Sequence, residues 1–118
     1  MKVLVAYEHR YRFYREAIAR GIGNHRPHLQ VCHAGLEERN RELVLFDPHA
    51  VISSQPTSID PGSRAVWVEL PVEPSSLAVI CLDGNHVRAR NPTLVEVLSV
   101  LDEAEELLHR EDLPAEGC

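Results

Sequence analysis

Apolar residues gather along this chain in short runs separated by amphipathic stretches, and the first half alternates between the two. Residues 2–7, KVLVAY, are short, β-branched and almost wholly apolar, the pattern of a strand covered on both faces. Over residues 9–23 the period lengthens. Phe13, Ala17, Ile18 and Gly21 recur at helical spacing and are expected to face the core, with Arg12, Glu16 and Arg20 elsewhere. Gly21, Gly23, Asn24 and Pro27 supply stop signals. A second strand is predicted over 28–34, with Leu29 and Val31 on one side, where His33 also falls by parity. Residues 35–46 read as a shorter helix packing Leu36, Leu43 and Phe46, and Asp47-Pro48 ends it. AVISS, residues 50–54, is the third strand. Two helical crossovers of this length imply parallel pairing in right-handed βαβ units, and with the first strand central the order is 2-1-3.

The second half changes character. QPTSIDPGSR, residues 55–64, holds two prolines and the turn signal Asp60-Pro61-Gly62, too broken for a full crossover helix. AVWVEL, residues 65–70, is a strand. LAVICL and HVRAR flank Asp83-Gly84, the signature of a two-residue hairpin. If Leu82 pairs with Asn85, then Ile80 lies opposite Val87 and Ala78 opposite Ala89, leaving His86, Arg88 and Arg90 on the other face. An antiparallel hairpin is thus expected to extend the parallel sheet. The final helix carries a continuous stripe of Leu94, Val97, Leu98, Leu101, Ala104 and Leu108. Asn91-Pro92 fits its N-cap and first turn, with Thr93-x-x-Glu96 as the alternative capping box. The expected organisation is a single α/β domain over 1–110 and a mobile polar tail over 111–118.

Composition changes this picture little. A chain of 118 residues suffices for one core, and 44% apolar with 25% charged residues is ordinary for a globular protein. No apolar run reaches the length of a membrane span, and the first residues are too weakly apolar for a signal peptide. The net charge of −6 opposes general nucleic-acid binding. Residues 1–50 nevertheless carry 8 Lys/Arg against 6 Asp/Glu, whereas residues 51–118 carry 4 against 12. The three cysteines show no metal-like spacing; Cys32 and Cys81 sit in apolar segments and read as small buried thiols. The expectation is a soluble, cytoplasmic protein with no nucleic-acid partner, no membrane partner, no metal and no cofactor.

Residues 2–54 resemble the first half of a response-regulator receiver domain. KVLVAYEHRYRFYREAI is similar to the opening strand, acidic turn and first helix of that family, and FDPHAVISS to its usual PDLVLLD strand. The resemblance covers somewhat under half the chain. It implies an α/β, three-layer flavodoxin-like βαβαβ core, strand order 2-1-3, here extended by the hairpin and closed by the C-terminal helix. It also implies losses. Tyr7 and Glu8 fall on the family's magnesium-binding acidic pair, Ser54 on the phosphorylated aspartate, and Glu69 on the hydroxyl residue ending the fourth strand. Lys2 is the chain's only lysine, so the family's phosphate-contacting lysine has no counterpart. One glutamate and a serine poorly replace the oxygen ligands of a hard cation, so phosphoryl transfer is not expected.

In open α/β sheets, ligands bind beyond the carboxyl ends of the strands where the strand order reverses. The candidate crevice is therefore lined by Glu8, His9, Arg10, Ser53, Ser54, Gln55, Thr57 and Ser58. Hydroxyls, backbone amides and Arg10 suit a small anion; alternatively Ser53 and Ser54 end a strand and bond their own loop. Ser54, His9 and Glu8 could be imagined as nucleophile, base and orienter, but no G-x-S-x-G elbow is present. Val95, Val100 and Leu107 lie beyond the last helix's core stripe, and Val79 with Cys81 lies on the charged side of the hairpin. These residues are the candidate surface of a homodimer or of a contact with another signalling protein. Three function classes stand: a non-catalytic receiver-like regulatory or interaction module, a small-molecule or anion sensor, and an enzyme of unrecognised chemistry. The first is preferred.

Overall fold

The computed structural model describes residues 1–55 and 64–110. The expected loop over 55–64 and the expected mobile tail over 111–118 lie almost wholly outside them. The described chain is mixed α/β, with one six-stranded sheet of order β2-β1-β3-β4-β5-β6. Its strands are β1 (Lys2–Tyr7), β2 (Gln30–Gly35), β3 (Ala50–Ser53), β4 (Val66–Glu69), β5 (Leu77–Leu82) and β6 (Asn85–Arg90). Three α-helices accompany them: α1 (Arg12–His25), α2 (Arg39–Leu45) and α3 (Leu94–His109). The order 2-1-3 is the one expected, and all pairings from β2 through β4 are parallel. β5 and β6 then run antiparallel, so the parallel core ends at β4.

Strand parity divides the core in two. Val3, Val5, Tyr7, Ala50, Ile52, Val66 and Val68 point to one face and pack with Ala19, Ile22, Val97, Leu98 and Leu101 of α1 and α3. Leu4, Val51, Trp67 and Cys81 point to the other and pack with Leu43 of α2. Because β1 and β3 are covered on both faces, their sequences are apolar without alternation.

The hairpin adopts the expected register, Leu82 to Asn85, Ile80 to Val87 and Ala78 to Ala89. Asp83 at φ 52° and Gly84 at φ 79° form the left-handed pair that this tight connection requires. α3 begins at Thr93, whose hydroxyl accepts from the Glu96 amide in a capping box, while Asn91 sits outside the helix at φ 46°. The stretch expected as one helix over 35–46 divides into a single 3-10 turn, Leu36–Glu38, followed by α2.

The first helix corrects the expected stripe. Phe13 is 70% exposed and Ala17 is exposed, whereas Ala19 and Ile22 are buried. The helix is rotated because Arg15 faces the sheet end, donating from Nη1 to the Tyr7 carbonyl at 3.2 Å. A polar side chain thus takes a position that hydropathy alone assigns to solvent. Gly21 does fall where expected: a Cβ there would lie 2.9 Å from Leu94 Cδ2, so its bare backbone lets α3 approach α1.

Candidate functional site

The carboxyl ends of β1 and β3 converge with the start of α2. β1 passes directly into a 3-10 turn, His9–Tyr11, closed by the Tyr11 amide on the Glu8 carbonyl at 2.9 Å. That turn aims the Glu8 carboxylate toward the end of β3. Ser54 Oγ donates to Glu8 Oε1 at 2.6 Å, and Gln55 Nε2 makes a long contact with the same oxygen at 3.5 Å. Ser54 is also tied through its backbone, donating to the Ala6 carbonyl at 3.3 Å. The hydroxyl bond to a charged acceptor is the strong member of this set.

Ser53 is fully buried and points to the opposite sheet face. Its hydroxyl is satisfied by Arg39 Nη1 at 2.9 Å and by the Gln55 amide at 3.4 Å. The same Arg39 nitrogen donates to the Gln55 carbonyl at 2.7 Å, and the guanidinium lies 5.5 Å from the centre of the Trp67 ring. Arg39 is the residue at these strand ends that sequence reasoning missed. Its signal was a cation in the first turn of the second helix, which in this topology starts beside the strand ends.

The structure brings Glu8, Ser54 and Gln55 together, sets Ser53 on the opposite face with Arg39, and leaves the other expected members apart. Arg10 is exposed and stacks on its neighbour Tyr11, 4.8 Å from the ring centre. His9 is exposed, and the Ser54 hydroxyl donates to Glu8, so the imagined Ser54–His9–Glu8 relay is not assembled. Thr57 and Ser58 lie outside the described residues. A groove of about 230 Å³ runs beside Glu8, Ser54 and Gln55, walled by Tyr11 and by Pro71, Val72, Glu73 and Ser76 of the β4–β5 connection. Two carboxylates at its rim disfavour an anion there.

Tyr7, which the resemblance sets on an acidic metal-binding position, is fully buried on the α1 and α3 side. Its hydroxyl donates to the Leu70 carbonyl, tying β1 to the segment leaving β4. Burial, reinforced by nearby Tyr14 and Glu8, pushes its pKa far up, so the phenol stays neutral. Glu69 ends β4 half-buried, opposite Ser53 in register. Among the described residues no group of three or more His, Cys, Asp or Glu side chains is placed to hold a metal ion.

The candidate interface residues divide as well. Val95 is 70% exposed, Val79 and Leu107 are half-buried, and Val100 packs against the α1 and α3 core. Cys81 is buried in the α2-side cluster, which removes it from any exposed contact surface. Cys32 is free, and burial raises its thiol pKa.

No family model, curated protein or solved structure matches the chain.

Proposed function

We propose that this chain is a non-catalytic, receiver-like regulatory or protein-interaction module whose strand ends are held by internal bonds in place of phosphoryl chemistry. The observation that carries this reading is the Ser54 hydroxyl on the Glu8 carboxylate at 2.6 Å. The residue on the phospho-acceptor position and the one remaining carboxylate of the acidic pair occupy each other. Tyr7 adds a neutral phenol where the family has its second carboxylate.

The test uses a small phosphodonor. Treatment with acetyl phosphate and magnesium should leave the intact mass unchanged in the wild type and in Ser54→Asp. The single replacement restores a nucleophile but neither the second carboxylate nor the lysine, and metal affinity needs several ligands acting together. A magnesium-dependent gain of one phosphoryl group in either protein would overturn the reading.

Self-association belongs to the same proposal. With Cys81 buried and Val100 on the core, one exposed apolar surface is offered by the N-terminal halves of α1 and α3, where Phe13 and Val95 are each 70% exposed; Val44 and Leu45 on α2 form another. An apolar groove of about 240 Å³ between α1 and α3 is lined by Tyr14, Ala17, Ile18, Leu70, Pro92 and Leu94, among others. Light scattering at micromolar concentration should give a dimer mass, and Val95→Lys should shift it to the monomer. A monomer mass in the wild type at high concentration would sink the homodimer. Among the described residues no helix is long and apolar enough to cross a membrane. A cytoplasmic setting remains part of the proposal, supported by the free thiol of Cys32.

A further inference from the structure

We infer that the outer edge of β6 is a docking edge for an extended peptide segment carrying carboxylates at alternate positions. This rests on the interaction-module reading and names the partner's chemistry. β6 is the terminal strand of the sheet and pairs only with β5 among the described residues. The tight turn at Asp83-Gly84 makes Leu82 and Asn85 the first hydrogen-bonded pair, so Asn85, Val87 and Ala89 spend their backbone groups on β5. The N–H and C=O groups of His86, Arg88 and Arg90 therefore face outward, a ready template for one more strand.

The same three residues point their side chains to one face. They pair with Cys81, Val79 and Leu77, and Cys81 belongs to the α2-side cluster, which fixes the face. All three are exposed and make no ion pair among the described residues. Arg88 and Arg90 thus set two cations about 6.8 Å apart along the strand, with His86 next on the same face. On the other face Val87 is 60% exposed, opposite Ile80. An added strand with Glu or Asp on one parity and an apolar residue on the other would match both faces.

A second copy of the chain is a poor occupant. The two-fold antiparallel pairing of two β6 edges centred on Arg88 sets Arg88 against Arg88, and the neighbouring register sets it against Arg90; like charges directly opposite destabilise a ladder. Nucleic acid is also disfavoured. Two arginines on a chain of net charge −6 form a small basic footprint, and the one tryptophan is buried.

The experiment is fluorescence anisotropy on the full chain with a labelled nine-residue peptide alternating Glu and Val. Saturable binding is expected, weakening by about tenfold or more in Arg88→Glu/Arg90→Glu, as removal of paired charges predicts. The same peptide N-methylated at alternate residues should bind the wild type at least about tenfold more weakly, because it cannot complete the ladder. Amide exchange should slow at His86, Arg88 and Arg90 on binding, while Asn85, Val87 and Ala89 are protected beforehand. The N-methylated probe keeps the test decisive even if the double variant folds poorly. Absence of saturable binding at millimolar peptide would overturn the proposal. So would equal binding of the N-methylated or an alternating Lys-Val peptide, or preference for an oligothymidine. None of these outcomes alters the phosphodonor result, so the two readings fail separately.

Discussion

Replacing Arg64 with methionine is expected to cost about 2–4 kcal/mol of folding free energy, because it strips hydrogen bonds from buried carbonyls. Arg64 is 3% exposed, at the entry to β4. Its guanidinium donates to the Leu43 and Pro48 carbonyls, both at 2.9 Å, and to Asp47 Oδ1 at 2.6 Å. Leu43 lies in the last turn of α2, where carbonyls have no partner within the helix. Asp47 has left-handed backbone, φ 49°, just past that helix. One side chain thus caps α2, secures the turn into β3 and anchors the entry to β4. Methionine fills similar volume but donates nothing. Lysine should restore only part of the loss, since a point-like ammonium cannot reproduce a planar fork. Urea unfolding should show a lower midpoint with unchanged slope, and an unchanged midpoint would show that these bonds are expendable.

The acid limb gives a second readout of the same residue. The Arg64 hydrogen bond, and then its charge, hold the Asp47 carboxyl below the usual carboxylate range. A depressed folded pKa contributes stability above the unfolded value and loses it as pH falls through the folded one. The wild type carries this contribution and Arg64→Met does not. Their difference should therefore narrow below about pH 4. Arg26 and Asp102, joined by two bonds of 2.8 Å between α1 and α3, show the same direction at Asp102. Their exposed setting makes the pair far less important to stability.

Which features were legible in the sequence follows from the range of the forces that set them. The hairpin register depended on Asp83-Gly84 and on parity, both local, and it emerged residue for residue. The start of α3 involved two neighbouring local signals. The Thr93 capping box prevailed over Asn91-Pro92, because reciprocal bonds with Glu96 satisfy two otherwise orphaned donors. The face of α1 was misread because Arg15 turns inward to a backbone carbonyl, a tertiary contact that a hydrophobic stripe cannot register. The candidate site followed the same division. Glu8, Ser54 and Gln55 sit where topology alone puts strand ends, so the order 2-1-3 was enough to gather them, while the alternation of β3 turns Ser53 to the other face. Arg39 reaches them along a flexible side chain from another element, and Arg10, adjacent in sequence, turns away onto Tyr11.

Arg39 is consequently the residue whose removal should most disturb the strand ends. Arg39→Ala takes donors from the Ser53 hydroxyl and the Gln55 carbonyl, and removes a cation from the Trp67 face. Together these losses should lower stability by about 2 kcal/mol. The effect should also be local. Ser54 and Gln55 lose the clamp on the α2 side and keep only the Glu8 side, so their amides should exchange faster, while Val51 and Ile52 inside the sheet keep their protection. Ser53→Ala should cost less by itself, since Arg39 would still hold the Gln55 carbonyl. The two changes share one bond, so their combined cost should fall short of the sum by about 1 kcal/mol. Unfolding curves of both single variants and the double, with exchange at residues 51–55, supply the cycle. Strict additivity, with unaltered exchange at Ser54, would mean that Arg39 only covers the strand ends and does not hold them. A coupled result would identify a clasp with Glu8 on one side of the chain and Arg39 on the other. Such a clasp fixes the end of β3 through side-chain bonds from both neighbouring elements.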